Sequence, residues 1–226
     1  MRTVSRHEEK FIISNATAEM LKSRFRAILR ADAHAGPAGS YFIRSVYFDD
    51  ISHTAYHEKL SGVKERTKYR LRYYNFDTER MYLEKKMKNG NLTGKDSAYV
   101  TFEEAQALLW GGSMDFAAGE PLLEEFIRAR RGSMHPVCIV DYDRFAYTYP
   151  VEDVRITLDM DVRTRPYSTE LFNRYLPTMP VMDEGECVLE VKYNGFLPSH
   201  IMWMLEGVPK QRMAVSKYVK CMSVLE

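Results

Sequence analysis

Residues Glu65 to Asn75 read Glu-Arg-Thr-Lys-Tyr-Arg-Leu-Arg-Tyr-Tyr-Asn. Side chains of an extended strand alternate between its two faces, so Arg66, Lys68, Arg70 and Arg72 share one face and Thr67, Tyr69, Leu71 and Tyr73 the other. A solvated surface strand would account for a single ladder of this kind. The pattern recurs, however. Arg6, Glu8 and Lys10 share a face of the first segment, and Tyr82, Glu84, Lys86 and Lys88 do so over 80–88. Arg144 keeps the face of Tyr142, Arg155 that of Thr157, Asp159 and Asp161, and Glu190 with Lys192 that of Val188. In a closed barrel, alternate residues of every strand point inward, and these ions would line one interior. Glu8, Glu84, Asp159 and Glu190 are then too few to neutralise Arg6, Lys10, Arg66, Lys68, Arg70, Arg72, Lys86, Arg144, Arg155 and Lys192. Unpaired buried charge is very costly, so the excess calls for a bound polyanion rich in phosphate. Arg offers planar paired donors to phosphate oxygens, and Lys a point charge. Carboxylates among cations suit a divalent metal, which prefers oxygen ligands and bridges phosphates. Glu190 is the metal candidate, although a salt bridge to Lys192 or to a neighbouring Arg explains it equally well.

The rest of the composition narrows the class. The 226 residues suit one domain, 1–226, with 45% hydrophobic and 28% charged residues able to form a sizeable core. Lys and Arg number 32 against 31 Asp and Glu, so net charge leaves no footprint for nucleic acid or for a membrane surface, and an anion site must come from local sorting of charge. Cys138, Cys187 and Cys221 are odd in number and in no metal-binding spacing, which fits reduced thiols. The six histidines show neither metal spacing nor a nucleophile motif, and Gly90-x-x-x-Gly94-Lys95 is too short for a phosphate-binding glycine loop. Arg2 to Arg6 is polar, and no run approaches the ~20 apolar residues of a spanning helix. The expected location is cytoplasmic, unless a partner holds the chain at a membrane.

Strands and helices must position these groups. Phe11 and Ile13 point away from Lys10, into packing. Asn15 is the expected cap of a helix over 16–30, with an Ala18, Leu21, Phe25, Ile28, Leu29 stripe and cations including Lys22 turned to solvent. A second strand covers 41–49, a short helix 51–60, and the basic ladder follows. After 80–88, Asn89-Gly90 signals a turn and places Lys95 on a loop. Thr101 and Glu104 form a capping-box pattern for a helix to Trp110, and Pro121 opens another to Arg131, the pair serving as lid or buttress. Strands return over 137–147, 154–161 and 187–193. A helix is expected over 196–205, and Ser216 can cap a last one.

These residues carry a resemblance. Glu8-x-Lys10, Ser45-x-Tyr47-Phe48-Asp49, Lys68-Tyr69-Arg70-Leu71-Arg72-Tyr73-Tyr74, Leu83-Glu84-x-Lys86, Tyr142-x-Arg144-x-Ala146, Val154-Arg155-Ile156-Thr157-x-Asp159, Leu189-Glu190-x-Lys192 and Ser216-Lys217-Tyr218 occur in the order seen in the VTC polyphosphate polymerase domain. The chain resembles a bacterial stand-alone member of that family, within the triphosphate tunnel metalloenzyme, or CYTH-like, superfamily. The resemblance implies an α+β fold, an eight-stranded antiparallel β-barrel tunnel with flanking helices. It implies a phosphotransferase that moves the γ-phosphate of ATP onto an inorganic polyphosphate chain, with a divalent metal, manganese first and magnesium second. Carried over by position, Lys10, Arg70, Arg72, Lys86, Arg144, Arg155 and Lys217 are the catalytic phosphate holders. Lys68, Lys95, Lys192 and Ser216 are further binding groups, and Glu190 is the metal ligand. Where the family has another basic residue before Ser-Lys, this chain has Met213-Ala214-Val215, with Lys210 and Arg212 as substitutes. The implied partners are a nucleoside triphosphate and polyphosphate, with no nucleic acid and no direct membrane insertion; relatives' additional domains leave room for a membrane or regulatory partner. With water as acceptor the same tunnel gives a triphosphatase, the alternative enzyme; hydrolases of this fold carry Glu-x-Glu on the first strand, whereas this chain has Glu8-x-Lys10, which favours polymer binding. A non-catalytic polyphosphate or nucleotide sensor is the alternative from another class, and Glu190 speaks against it.

Overall fold

The computed structural model describes residues 7–90, 92–111, 119–209 and 215–226; Arg6, Lys210, Arg212 and Met213-Ala214 lie outside the described residues. In chain order the elements are β1 (His7–Ser14), α1 (Asn15–Ile28), β2 (Arg30–Ala31), β3 (Ser40–Asp49), α2 (Thr54–Leu60), β4 (Glu65–Tyr74), β5 (Asp77–Asn89), β6 (Leu92–Val100), α3 (Phe102–Trp110), α4 (Pro121–Gly132), β7 (His135–Tyr149), β8 (Val154–Pro166), β9 (Met179–Pro180), β10 (Glu186–Tyr193), α5 (Ser199–Met204) and α6 (Lys217–Leu225). The described residues fall into two compact units.

The first unit comprises residues up to Phe42, Tyr142–Arg163 and Pro180–Lys217. Its strands run in the order β1-β10-β8-β7, and the β1–β10 and β10–β8 ladders are antiparallel. One face is apolar: Phe11, Ile13, Val154, Ile156, Leu158, Cys187, Leu189 and Val191 pack with Ala18, Leu21 and Phe25 of α1. The amphipathic stripe of α1 therefore covers the sheet, burying its apolar residues at a gain of roughly 1.5–3 kcal/mol for each large side chain. By strand parity the opposite face receives Lys10, Glu190, Lys192, Arg155, Thr157 and Asp159.

The second unit comprises Ile43–Asp141, Thr164–Met179 and Tyr218–Glu226, with strands in the order β7-β3-β4-β5-β6. Its core joins Tyr69, Leu71, Tyr73, Met81, Leu83, Ala98 and Val100 to Ala105, Leu108 and Leu109 of α3 and Leu122, Leu123 and Phe126 of α4. The helical pair is thus a buttress. Its entry is fixed by the capping box, in which Thr101 Oγ1 accepts from the Glu104 amide and the Glu104 carboxylate accepts from the Thr101 amide. Gly111, at φ 80°, ends α3 in the left-handed region that costs glycine little.

Four local expectations are corrected. The cap of α1 is Ser14, whose Oγ accepts from the Thr17 amide at 3.1 Å, while Asn15 is already helical; both residue types cap well, and spacing alone does not separate neighbours. Lys22 is buried, its ammonium 3.7 Å from the Phe145 ring centroid and 2.6 Å from Glu19, since a long aliphatic stem packs while its head finds partners. Lys95 lies on β6 and not on a loop, because the Asn89-Gly90 turn makes a tight hairpin and the chain returns at once as a strand opposite β5. Asp161 leaves the face of Arg155 and Asp159: at φ 48° the backbone breaks the alternation, and its carboxylate pairs with Arg163 at 3.3 Å.

Candidate functional site

In the second unit the ladder of β4 faces a row of partners fixed by register. Arg72 lies opposite Ser45 of β3 and Tyr82 of β5, Arg70 opposite Tyr47 and Glu84, and Lys68 opposite Lys86, which itself pairs with Lys95 of β6. Glu84 is the buried centre. It accepts from Arg70 Nε at 2.6 Å, lies 3.6 Å from Arg72 Nη1 and accepts from Lys95 Nζ at 2.8 Å. Burial alone would raise the carboxyl pKa of Glu84, yet Arg70, Arg72 and Lys95 together hold it far below the usual carboxylate range. Tyr47 and Ser45 complete the alignment. Arg70 Nη1 donates to Tyr47 Oη at 3.0 Å, and Arg72 Nε donates to Ser45 Oγ at 3.1 Å. Lys68, 4.9 Å from the Tyr218 ring centroid, has its pKa pushed down to about 7 by burial and by the like charges of Arg66, Lys59 and Lys86. Arg66 itself turns aside and donates to the carbonyl of Val63. Five basic side chains, Lys68, Arg70, Arg72, Lys86 and Lys95, therefore share a face with one carboxylate that is already held by three of them.

The first unit holds a second cluster. Asp159, fully buried, accepts from Arg144 Nε at 2.6 Å and Nη2 at 2.8 Å and also pairs with the Lys217 ammonium. Burial works against the Asp159 charge, but Arg144 and Lys217 hold its pKa down to about 2. Both cations also lie against the Tyr142 ring, at 5.2 and 4.8 Å from its centroid. Glu190 is paired with Lys192 at 2.7 Å and Lys10 at 3.8 Å, and Glu8 lies 2.8 Å from Lys10 and 4.0 Å from Lys192. Despite burial, these cations keep Glu190 ionised well below its ordinary range, and Glu190 and Glu8 hold Lys10 above its own. Arg155 is engaged by two residues that face parity did not bring forward: it meets the Asp32 carboxylate at 2.9 Å and donates to Tyr41 Oη at 3.1 Å. Ser216 immediately precedes α6, which opens with Lys217.

Glu190 thus has both of the roles left open for it within reach. Its salt bridges exist, and its carboxylate is a hard oxygen donor. Among the described residues no group of three or more His, Cys, Asp or Glu side chains is gathered to hold a metal by itself. That donor set fits a divalent ion that takes most of its ligands from phosphate and water, which is how small hard cations are commonly held beside polyphosphates. One further observation fits. Thr157, directly opposite Glu190 across the β8–β10 ladder, has a buried hydroxyl with no hydrogen-bond partner among the described residues.

A hollow of about 680 Å³ in the second unit is lined by Thr78, Glu79, Arg80, Tyr82, Tyr99, Thr101, Phe102 and Glu103. Its lining carries two carboxylates, Glu79 and Glu103, against one cation, Arg80, a balance opposite to that of the Glu84 cluster.

Comparison with known proteins follows the same line. Residues 5–226 match the family described as VTC domain. A comparison with curated proteins gives no match. Among solved structures, the chain is similar to a protein of Hippeastrum described as an adenylyl cyclase with a dominant triphosphatase activity, at 16% identity and a TM-score of 0.53 over 96% of this chain and 95% of that one. It is also similar to proteins described as adenylate cyclases from Bacillus halodurans (15% identity, TM-score 0.52, 94% and 95% covered) and Vibrio parahaemolyticus (10%, 0.54, 96% and 97%). At such identities the likeness establishes the fold, an antiparallel α+β fold of the triphosphate tunnel class.

Proposed function

Since the chain belongs to the VTC domain family, we propose that it is a metal-dependent phosphotransferase acting on triphosphate and polyphosphate, and specifically that it moves the γ-phosphoryl group of ATP onto a polyphosphate end. The observation that carries this reading is the Glu84 cluster, in which one carboxylate is shared by Arg70, Arg72 and Lys95 while Lys68 and Lys86 stand on the same face. Positive charge held at that density is best satisfied by a polyanion. One functional domain over 1–226 is part of the proposal, because the family match includes residues of both units.

In this mechanism the side chains position and neutralise. Arg70 and Arg72, aligned by Tyr47 and Ser45, present guanidinium edges to phosphate oxygens, and Lys68, Lys86 and Lys95 add point charges. Arg144, Arg155, Lys10, Lys192 and Lys217 do the same in the other unit, with Ser216 beside them, Asp159 fixing Arg144 and Lys217, and Asp32 fixing Arg155. Phosphoryl transfer needs charge stabilisation and alignment more than covalent help, so no nucleophilic side chain is required. Glu190 would hold a divalent metal, manganese in preference to magnesium, which when bound supplies charge neutralisation on the phosphate oxygens.

Hydrolysis is the second reading, favoured by the triphosphatase activity described for the Hippeastrum protein of the same fold. The Glu8-x-Lys10 pattern weighs against it, because Lys10 pairs with both Glu8 and Glu190 and so opposes an all-carboxylate metal site. Incubation of the purified chain with ATP and Mn²⁺, followed by separation of long polyphosphate from free phosphate, decides between them. Long polyphosphate supports transfer, and free phosphate alone supports hydrolysis. Triphosphate binding without either product would leave a sensor. The described residues include no helix long and apolar enough to cross a membrane.

A further inference from the structure

A buried hydroxyl without a partner is costly, and the chain keeps one opposite Glu190, a carboxylate ringed by cations. Thr157 is 4% exposed, and its Oγ1 has no hydrogen-bond partner among the described residues. Its neighbours on β8, Ile156 and Leu158, point into the apolar core of the first unit, so parity turns Thr157 to the charged face between Arg155 and Asp159. Register sets it directly opposite Glu190, which is in turn directly opposite Lys10. Cross-strand neighbours of this kind hold their Cβ atoms about 4.5–5.5 Å apart, close enough for their oxygens to share one small ligand. Leaving such a hydroxyl unsatisfied costs about 1–3 kcal/mol, and valine would fill the same space without that cost.

We infer that the Thr157 hydroxyl is a second oxygen donor beside Glu190 for the divalent cation that accompanies a bound polyphosphate. This rests on the phosphotransfer reading above and adds a residue to it. Lys10, Lys192, Lys217 and Arg144 surround Glu190 and repel a bare cation. A divalent ion would therefore be held here only together with the polyanion, with Glu190 and Thr157 as the protein oxygens that support it.

The test is binding of inorganic triphosphate with and without Mn²⁺ by calorimetry, together with thermal unfolding of the ligand-free protein. Thr157→Val should bind triphosphate alone as the parent does but lose the Mn²⁺-dependent gain in affinity by roughly tenfold or more, the usual cost of removing a group that supports a metal. Thr157→Ser should retain that gain. Ligand-free Thr157→Val should melt at or above the parent temperature, since an unsatisfied hydroxyl has been removed. An unchanged Mn²⁺-dependent gain in Thr157→Val overturns the inference and leaves phosphotransfer standing, as does a Thr157→Ser variant that folds and loses the gain as fully as valine. If the parent chain binds no triphosphate with or without Mn²⁺, the functional reading and the inference fall together.

Discussion

The Arg144 guanidinium grips the Asp159 carboxylate through two hydrogen bonds, 2.6 and 2.8 Å long, and Asp159 is wholly buried. Removing one partner of such a pair strands the other charge and costs roughly 3–5 kcal/mol. Asp159→Asn should destabilise the protein by that order. The pH dependence has a definite sign. The folded pKa, about 2, lies below the ~3.9 of an unfolded Asp, so the stabilisation is complete above about pH 4 and is lost as pH falls through about 2. Glu84 and Glu190 are depressed in the same direction and lose their contributions on the same acid side. Urea unfolding at a series of pH values should show a steep loss below pH 4 in the parent and a shallower one in Asp159→Asn; equal slopes would contradict the pairing.

Arg44 should stabilise the second unit through its buried ion pair without touching phosphate. It donates to both oxygens of Asp141, at 2.9 and 2.8 Å, and to the carbonyls of Leu171 and Asn173, each at 2.8 Å. Arg44→Met leaves Asp141 charged and buried and should cost about 3–5 kcal/mol. Triphosphate affinity of the folded variant should stay within about twofold of the parent. A loss below about 1 kcal/mol in denaturant titration would show that the pair is not holding the 171–173 segment.

Lys68 should take up a proton when phosphate binds. With its pKa pushed down to about 7 by burial and by Arg66, Lys59 and Lys86, it is mostly neutral at pH 8. A polyanion favours the charged form and restores the proton. Calorimetry at pH 8 in buffers of different ionisation enthalpy should therefore report net uptake, reduced in Lys68→Met. The same depression predicts that the ligand-free parent gains stability relative to Lys68→Met between about pH 7 and 10, where the unfolded chain binds the extra proton. Identical buffer dependence in parent and variant would refute this assignment.

Arg72 and Glu190 should separate binding from turnover. Arg72 attracts phosphate in ground and transition states alike, so Arg72→Ala should weaken triphosphate binding by about 10–100-fold, the worth of a charged hydrogen bond, and reduce turnover with it. Glu190→Gln removes a negative charge and should leave metal-free triphosphate binding equal or tighter while abolishing metal-dependent turnover. Loss of metal-free binding in Glu190→Gln would mean that its carboxylate serves mainly to hold Lys10 and Lys192 in place.

What the sequence determined by itself was which residues share a face. Alternation is a property of the local chain, so Arg70 with Arg72, Arg155 with Asp159, and Glu190 with Lys192 were legible from spacing two, as was the capping box of Thr101 and Glu104. It failed where the backbone departed from regular extension, at Asp161 with φ 48°, and where a tight turn hid a strand, at Lys95. Partnership was decided only by tertiary structure. That Glu84 should be shared by Arg70, Arg72 and Lys95, that Asp32 should meet Arg155 from far along the chain, and that Thr157 should stand unpartnered opposite Glu190 depend on strand register and on which groups are denied water. Register is set by the burial of whole strand faces against α1, α3 and α4, a sum over many distant residues, whereas the period of a strand is written in each consecutive pair.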